Sequence, residues 1–236
     1  MTPRATELLQ NAQLVQKRIT DACTQCGRDV QSVKLIWVSK TMPLSDIDDA
    51  IQAGACNFGE NKVQECLEKF SQARAGVSLH VIGPVQSNKW RKAAQVGQWI
   101  HSVDSLEALR KYEAVCAELN KTLNVLFQIN TSGEVTKSGL SMDNAHSFFA
   151  DLPAFPRLHY RGLMTIGIHT GVPEDSRTGF NWLRNLRDQL HARGGAFANF
   201  TELSMGMTDD LEIAVQEGAT MVRVGTAIFG RRVYAA

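Results

Sequence analysis

Short apolar, β-branched runs alternate with longer stretches of helical spacing along almost the whole chain, the pattern expected when strands and helices take turns. Eight runs read as strands: "VKLIWVSK" (33–40), "ACNFGE" (55–60), "LHVIGP" (79–84), "QWIHSVD" (98–104), "LNVLFQIN" (123–130), "LHYRGLMTIG" (158–167), "FTELSMG" (200–206) and "TMVRVGT" (220–226). An amphipathic segment over about 6–26 precedes the first. Helical spacing marks the intervals: "PLSDIDDAIQAG", with Ser45 as the expected N-cap, "NKVQECLEKFSQA", "SNKWRKAAQVG", "SLEALRKYEAVCAELN", "SMDNAHSFFADL", "PEDSRTGFNWLRNLRDQLHARG" and "MTDDLEIAVQEG". Gly54, Gly97, Gly194 and Gly218 follow four of these, as helix C-termini favour. Eight alternations predict one α/β domain over 1–236, a (β/α)8 TIM barrel with an extra N-terminal helix. An open doubly wound sheet would carry a G-x-G-x-x-G turn after its first strand, where "SKTMP" stands instead.

Composition narrows the function. At 236 residues and 44% hydrophobic content, a barrel of this size buries roughly 70–75% of the surface its unfolded chain would expose. Twenty-five basic and 24 acidic residues leave a net charge of +1 with no basic block to track a phosphate backbone, so nucleic acid is not an expected partner. The N-terminus lacks the layout of a signal peptide and no apolar run is long enough for a bilayer, so the expectation is a cytoplasmic protein with no membrane partner. Five scattered cysteines do not make a disulfide framework. The pair Cys23 and Cys26 could be half a zinc site or a redox motif, but neither the further ligands nor the preceding strand is present, so structural thiols are expected.

In a barrel the chemistry sits at the carboxyl ends of the strands. Lys40 ends the first run, where it is either a solvated rim charge or an amine held near a carbonyl carbon. Partial burial disfavours the ammonium form, and the free amine is what attacks an aldehyde to form a Schiff base. "SMGMTDD" (204–210) and "VGTAIFGRR" (224–232) follow the last two runs. Their glycines and hydroxyls suit either a phosphate cradle or ordinary turns with capping Ser and Thr, and composition does not separate the two. Arg223 lies within an apolar strand, where a charge needs a partner. Either it forms a salt bridge, for instance with Glu202, or it faces the barrel interior and donates to a pyridine nitrogen. A phosphate site, an amine for an aldehyde and an arginine for a ring nitrogen together describe pyridoxal 5′-phosphate.

The blocks "VSKTMP" (38–43), "FGENKVQE" (58–65), "HVIGPVQSNK" (80–89), "KSG" (137–139), "RGLMTI" (161–166), "LSMGMTDDLE" (203–212) and "VRVGTAIFG" (222–230) resemble the pyridoxal phosphate homeostasis proteins, the YggS/PROSC family, from Val33 to Arg231. The resemblance implies the fold type III barrel of the alanine racemase N-terminal domain, with Lys40 forming the Schiff base and Arg223 opposite the pyridine nitrogen. It places Ser204, Gly225 and Thr226 at the cofactor phosphate, Asn61 near the ring, and Met205 and Met207 either at the pocket or in packing. Met42 stands where family members often carry a second lysine, and Lys62 where a tyrosine is common.

Racemisation on a related barrel needs a proton donor on each face of the substrate carbon, the second supplied by a further β-domain. Only "RVYAA" follows Arg231, and Tyr112, Tyr160 and Tyr234 are not obvious substitutes. The six histidines are dispersed without H-x-x-x-H spacing, and Glu60 and Glu65 flank a helix start that acids suit anyway, so no metal site is expected. The sequence therefore predicts a non-enzymatic pyridoxal phosphate carrier in cofactor homeostasis. Its partners are the cofactor and, as candidate recipients, pyridoxal phosphate-dependent apoenzymes, and a monomer is expected. The alternatives are a low-activity racemase on the same barrel and a cofactor-free Schiff-base aldolase.

Overall fold

The computed structural model describes residues 1–134, 138–168 and 170–230. All eight predicted runs are strands: β1 (Lys34–Val38), β2 (Asn57–Glu60), β3 (Ser78–Val81), β4 (Trp99–Val103), β5 (Leu123–Asn130), β7 (Leu158–Met164), β8 (Glu202–Ser204) and β9 (Met221–Val224). Between β5 and β7 the two-residue β6 (Leu140–Ser141) pairs parallel to the end of β5 and stands outside the barrel. The barrel strands pair in parallel in chain order, and β9 returns to β1 with Lys34 opposite Met221 and Ile36 opposite Arg223. That pairing closes the sheet, so no barrel edge is left open.

Two cores follow from the alternation of side chains along each strand. Ile36, Leu126, Met164 and Met221 fill the barrel interior, while a much larger cluster lies between the strands and the surrounding helices. Those helices are α1 (Pro3–Gln25), α2 (Leu44–Gln52), α3 (Val63–Phe70), α4 (Trp90–Val96), α5 (Leu106–Glu118), α6 (Met142–Ala150), α7 (Arg177–Ala192), α8 (Leu211–Gln216) and the four-residue α9 (Thr226–Phe229). The predicted cap at Ser45 is not formed: Pro43 occupies the N-cap of α2 without a side-chain bond, and Ser45 falls inside the first turn. Proline pre-sets the entry into a helix through its fixed φ, which here starts α2 two residues earlier than a serine cap would.

The extra helix has a plain cause. Thr2 caps α1 by accepting from the Ala5 amide at 3.0 Å, Pro3 opens the first turn, and Leu8, Ala12, Val15, Ile19 and Cys23 recur as its buried stripe. Its polar side chains then reach the last βα units. Arg4 and Asn11 donate to the carbonyls of Phe229 and Ile228 at 2.9 Å, and Arg18 donates to Thr208 O at 2.8 Å while pairing with Glu212. Arg28, just past the helix, donates to Val215 O and Ala219 O. Carbonyls at the ends of α8 and α9 are thus satisfied by cations and amides from the start of the chain. Among the described residues no helix is long and apolar enough to cross a membrane.

Candidate functional site

A cavity of about 400 Å³ opens at the carboxyl ends of the barrel strands, and Lys40, Asn61, Arg223, Gly225 and Thr226 all line it. Its size is in the range of small-molecule sites. Five of the six residues singled out from sequence therefore converge, although they come from opposite ends of the chain. Lys40 is half-buried in the turn after β1, and Asn61 follows β2 directly. Asn61 is pressed against Gly83: a Cβ at residue 83 would lie 2.3 Å from Asn61 O, so only glycine permits this close approach. Gly225 and Thr226 lead from β9 into α9 on the same wall as Met207 and Thr208.

Arg223 faces the barrel interior and is 5% exposed. Its Nη1 donates to Ser204 Oγ and its Nη2 to Thr165 O, both at 2.8 Å. The salt bridge with Glu202 is not formed, because Glu202 accepts from Lys34 at 3.0 Å and from Thr220 at 2.6 Å near the opposite end of the barrel. Burial pushes the Arg223 guanidinium down to about 10, with Asp210 opposing that shift. A guanidinium held by neutral oxygens keeps its remaining donor capacity for a ligand.

Ser204, expected at a phosphate, does not line the cavity. It is fully buried beneath Arg223, next to it in a hydrogen-bonded chain through the barrel. His101 Nδ1 lies 3.0 Å from Ser204 Oγ, His101 Nε2 lies 2.9 Å from His80 Nδ1, and His80 Nε2 lies 3.3 Å from Asn57 Oδ1. Asn57 Oδ1 can only accept, so His80 carries its proton on Nε2 and accepts at Nδ1 from His101 Nε2–H. His101 Nδ1 then accepts from Ser204, whose oxygen in turn accepts from Arg223. Every bond runs in one direction with both rings neutral, in keeping with burial pushing His80 down to about 3 and His101 well below its usual value. The strand-end position of Ser204 gave the right neighbourhood but not its depth in the barrel.

Of the two methionines, Met207 lines the cavity and Met205 is buried in the outer core. Met42 packs against that core beside Lys40, while Lys62 is exposed before α3. Sequence reasoning missed Gln128. Its Nε2 donates to Ser138 O at 2.9 Å, which fixes the amide, and its buried Oε1 has no partner among the described residues although the residue lines the cavity. A glutamine inside the apolar run "LNVLFQIN" was the available signal. Lys137 of the "KSG" block, His169 and Tyr234 lie outside the described residues.

Comparison with known proteins places this geometry. The family model of the alanine racemase N-terminal domain matches residues 16–233. The pyridoxal phosphate homeostasis protein of Pseudomonas aeruginosa is 40% identical over 230 residues, 97% of each chain. The chain belongs to the pyridoxal phosphate homeostasis protein family. A second relative in structure is PipY of Synechococcus elongatus PCC7942, solved with PLP bound; it is 32% identical with a TM-score of 0.79, over 92% of this chain and 100% of PipY. Alanine racemase of Clostridium difficile 630 is 13% identical with a TM-score of 0.71, over 94% of this chain and 56% of that one, a likeness of fold alone.

Proposed function

We propose that this protein holds pyridoxal 5′-phosphate reversibly through a Schiff base on Lys40 and serves intracellular cofactor homeostasis as a single barrel domain, without a complete catalytic set. The observation that carries the reading is that Lys40 and a buried Arg223, held by two neutral oxygens, line one cavity. The residues present fit the group. Lys40 meets an aldehyde, Val38, Ile82 and Ile166 supply apolar walls for a ring, Arg223 meets a ring nitrogen, and Gly225 with Thr226 offers small residues and a hydroxyl for a phosphate.

When bound, the cofactor acts as an electron sink for carbanions. Arg223 gives up its proton too reluctantly to protonate a ring nitrogen, so it would keep that sink weak. Among the described residues no tyrosine or histidine lines the cavity. Tyr160 donates to Pro153 O at 2.7 Å, Tyr112 is buried in α5, and His80 and His101 lie below the floor in neutral form. Asp209 is the one carboxylate among the described lining residues, and without a tyrosine or histidine beside it the site supports a carrier over a racemase. Ser204 acts in this reading through Arg223, not as a phosphate ligand. The same reading assigns the protein to the cytoplasm as a monomer, with pyridoxal phosphate-dependent apoenzymes as recipients of the cofactor.

Absorbance of the purified protein tests the proposal. It should carry a visible Schiff-base band that borohydride removes, leaving a reduced adduct on the peptide containing Lys40, and Lys40→Ala should lose that adduct. A colourless protein that takes up no added cofactor defeats the reading. Conversion of L- to D-amino acid faster than free cofactor achieves would restore the racemase.

A further inference from the structure

Lys40 sits in a turn whose backbone is held in an unusual way. β1 ends at Val38, and Met42 N–H donates to Ser39 O at 3.0 Å, so residues 39–42 form a β-turn with Lys40 and Thr41 at its centre. Thr41 takes φ +68°, a left-handed value that glycine normally supplies and that a β-branched residue adopts only when its surroundings impose it.

The surroundings are three charged side chains from β2 and α3. Lys69, 7% exposed, donates to Ser39 O at 2.8 Å, to Glu60 Oε1 at 2.9 Å and to Glu65 Oε2 at 2.8 Å. Glu65 Oε2 also accepts the Thr41 amide at 2.6 Å, and Ser39 Oγ donates to Glu60 Oε1 at 2.6 Å. The carbonyl of the residue before Lys40 and the amide of the residue after it are thus bound by one cluster. Neither Glu60, Glu65 nor Lys69 lines the cavity.

We propose that Lys69, Glu60 and Glu65 form a positioning clamp that sets the Lys40 amine in the cavity. The clamp orients the two peptide groups flanking Lys40, and the left-handed Thr41 is the conformation that brings the Thr41 amide onto Glu65. A cluster that only tied the end of β2 to α3 would need Lys69 with Glu60 and Glu65, not the two contacts to the backbone of 39 and 41. Charge-assisted bonds of this kind are among the stronger protein hydrogen bonds, and three acceptors satisfy the ammonium in full. Displacement of a reacting group by about 1 Å can lower a rate by about a hundredfold, so control of this turn is control of imine formation.

The inference rests on Lys40 as the covalent anchor, and two readouts separate the claims. In the cofactor-free protein, trace labelling with acetic anhydride followed by peptide mass spectrometry reads the reactivity of the Lys40 amine directly. With added pyridoxal phosphate, borohydride trapping at timed intervals reads the rate of adduct formation. Lys69→Met and Glu65→Ala should each slow trapping by about tenfold or more and change Lys40 labelling, while Glu65→Gln, which keeps an acceptor for the Thr41 amide, should retain most of the wild-type rate. Thermal melting of each variant confirms that it is folded; Glu65, at the rim of the cluster, carries the test if Lys69→Met does not fold. Trapping and labelling within about twofold of wild type in folded Glu65→Ala would overturn the clamp. A wild-type protein without any Lys40 adduct would instead defeat the proposed function, and the labelling comparison would still decide the clamp.

Discussion

Ser204→Ala separates two roles for one hydroxyl. In the structure that hydroxyl accepts from Arg223 Nη1 at 2.8 Å and lies 3.0 Å from His101 Nδ1, in the fully buried middle of the barrel. Alanine leaves a charged donor and a neutral acceptor without their shared partner. A hydrogen bond to a charged group contributes about 1.5–3 kcal/mol, and a stranded neutral group costs about 1–3 kcal/mol. The expected loss is therefore on the order of 3–5 kcal/mol, a large share of the roughly 5–15 kcal/mol that holds a domain folded. Urea unfolding of the cofactor-free protein, followed by tryptophan fluorescence, measures it. Affinity for inorganic phosphate should change little, since Ser204 does not line the cavity. Stability within about 0.5 kcal/mol of wild type, combined with a tenfold or greater loss of phosphate affinity, would refute the reasoning and make Ser204 a ligand contact.

Two further outcomes are expected. His80, held down at about 3, and His101, held well below its usual value, are neutral when folded and titrate near 6.5 when unfolded, so the unfolded chain binds more protons as the pH falls below about 6.5. Their contribution is fully present above about pH 6.5 and falls with acidification by up to about 1.4 kcal/mol per pH unit per histidine; urea midpoints that do not drop between pH 7.5 and 5.5 would contradict this. Gly83→Ala would set a Cβ 2.3 Å from Asn61 O and push that residue off its place in the cavity wall, so cofactor titration should show affinity weakened by about tenfold with a lower melting temperature.

The strands were legible because parallel strands covered on both faces are continuous apolar runs; seven of the eight lie within their predicted ranges, and β3 starts one residue early, at Ser78. What the runs could not reveal was depth. Ser204 and Arg223 both looked like strand-end site residues, but only the closed barrel shows that one supports the other. His80 and His101 seem dispersed in the sequence, yet adjacent strands bring their rings to 2.9 Å. Likewise, Lys69 reads as an ordinary charge in the last turn of a helix until the fold buries it under Ser39. The four-residue α9 was invisible because so short a segment carries no helical period. Polar residues inside apolar runs, at 80, 101 and 128, were the signal left unread.

Closure of the barrel by β9 against β1 has a consequence for how the protein is born. Lys40 leaves the ribosome well before Arg223, so the two can face each other only after β9 has inserted beside β1. A nascent chain thus offers reactive aldehydes an amine without the enclosing pocket until β9 is made. The docking of α1 onto the ends of α8 and α9 belongs to the same event, since Arg4 and Arg28 must wait for those helices before they find their carbonyls. The enclosed pocket therefore arrives in one late event, the insertion of β9 beside β1.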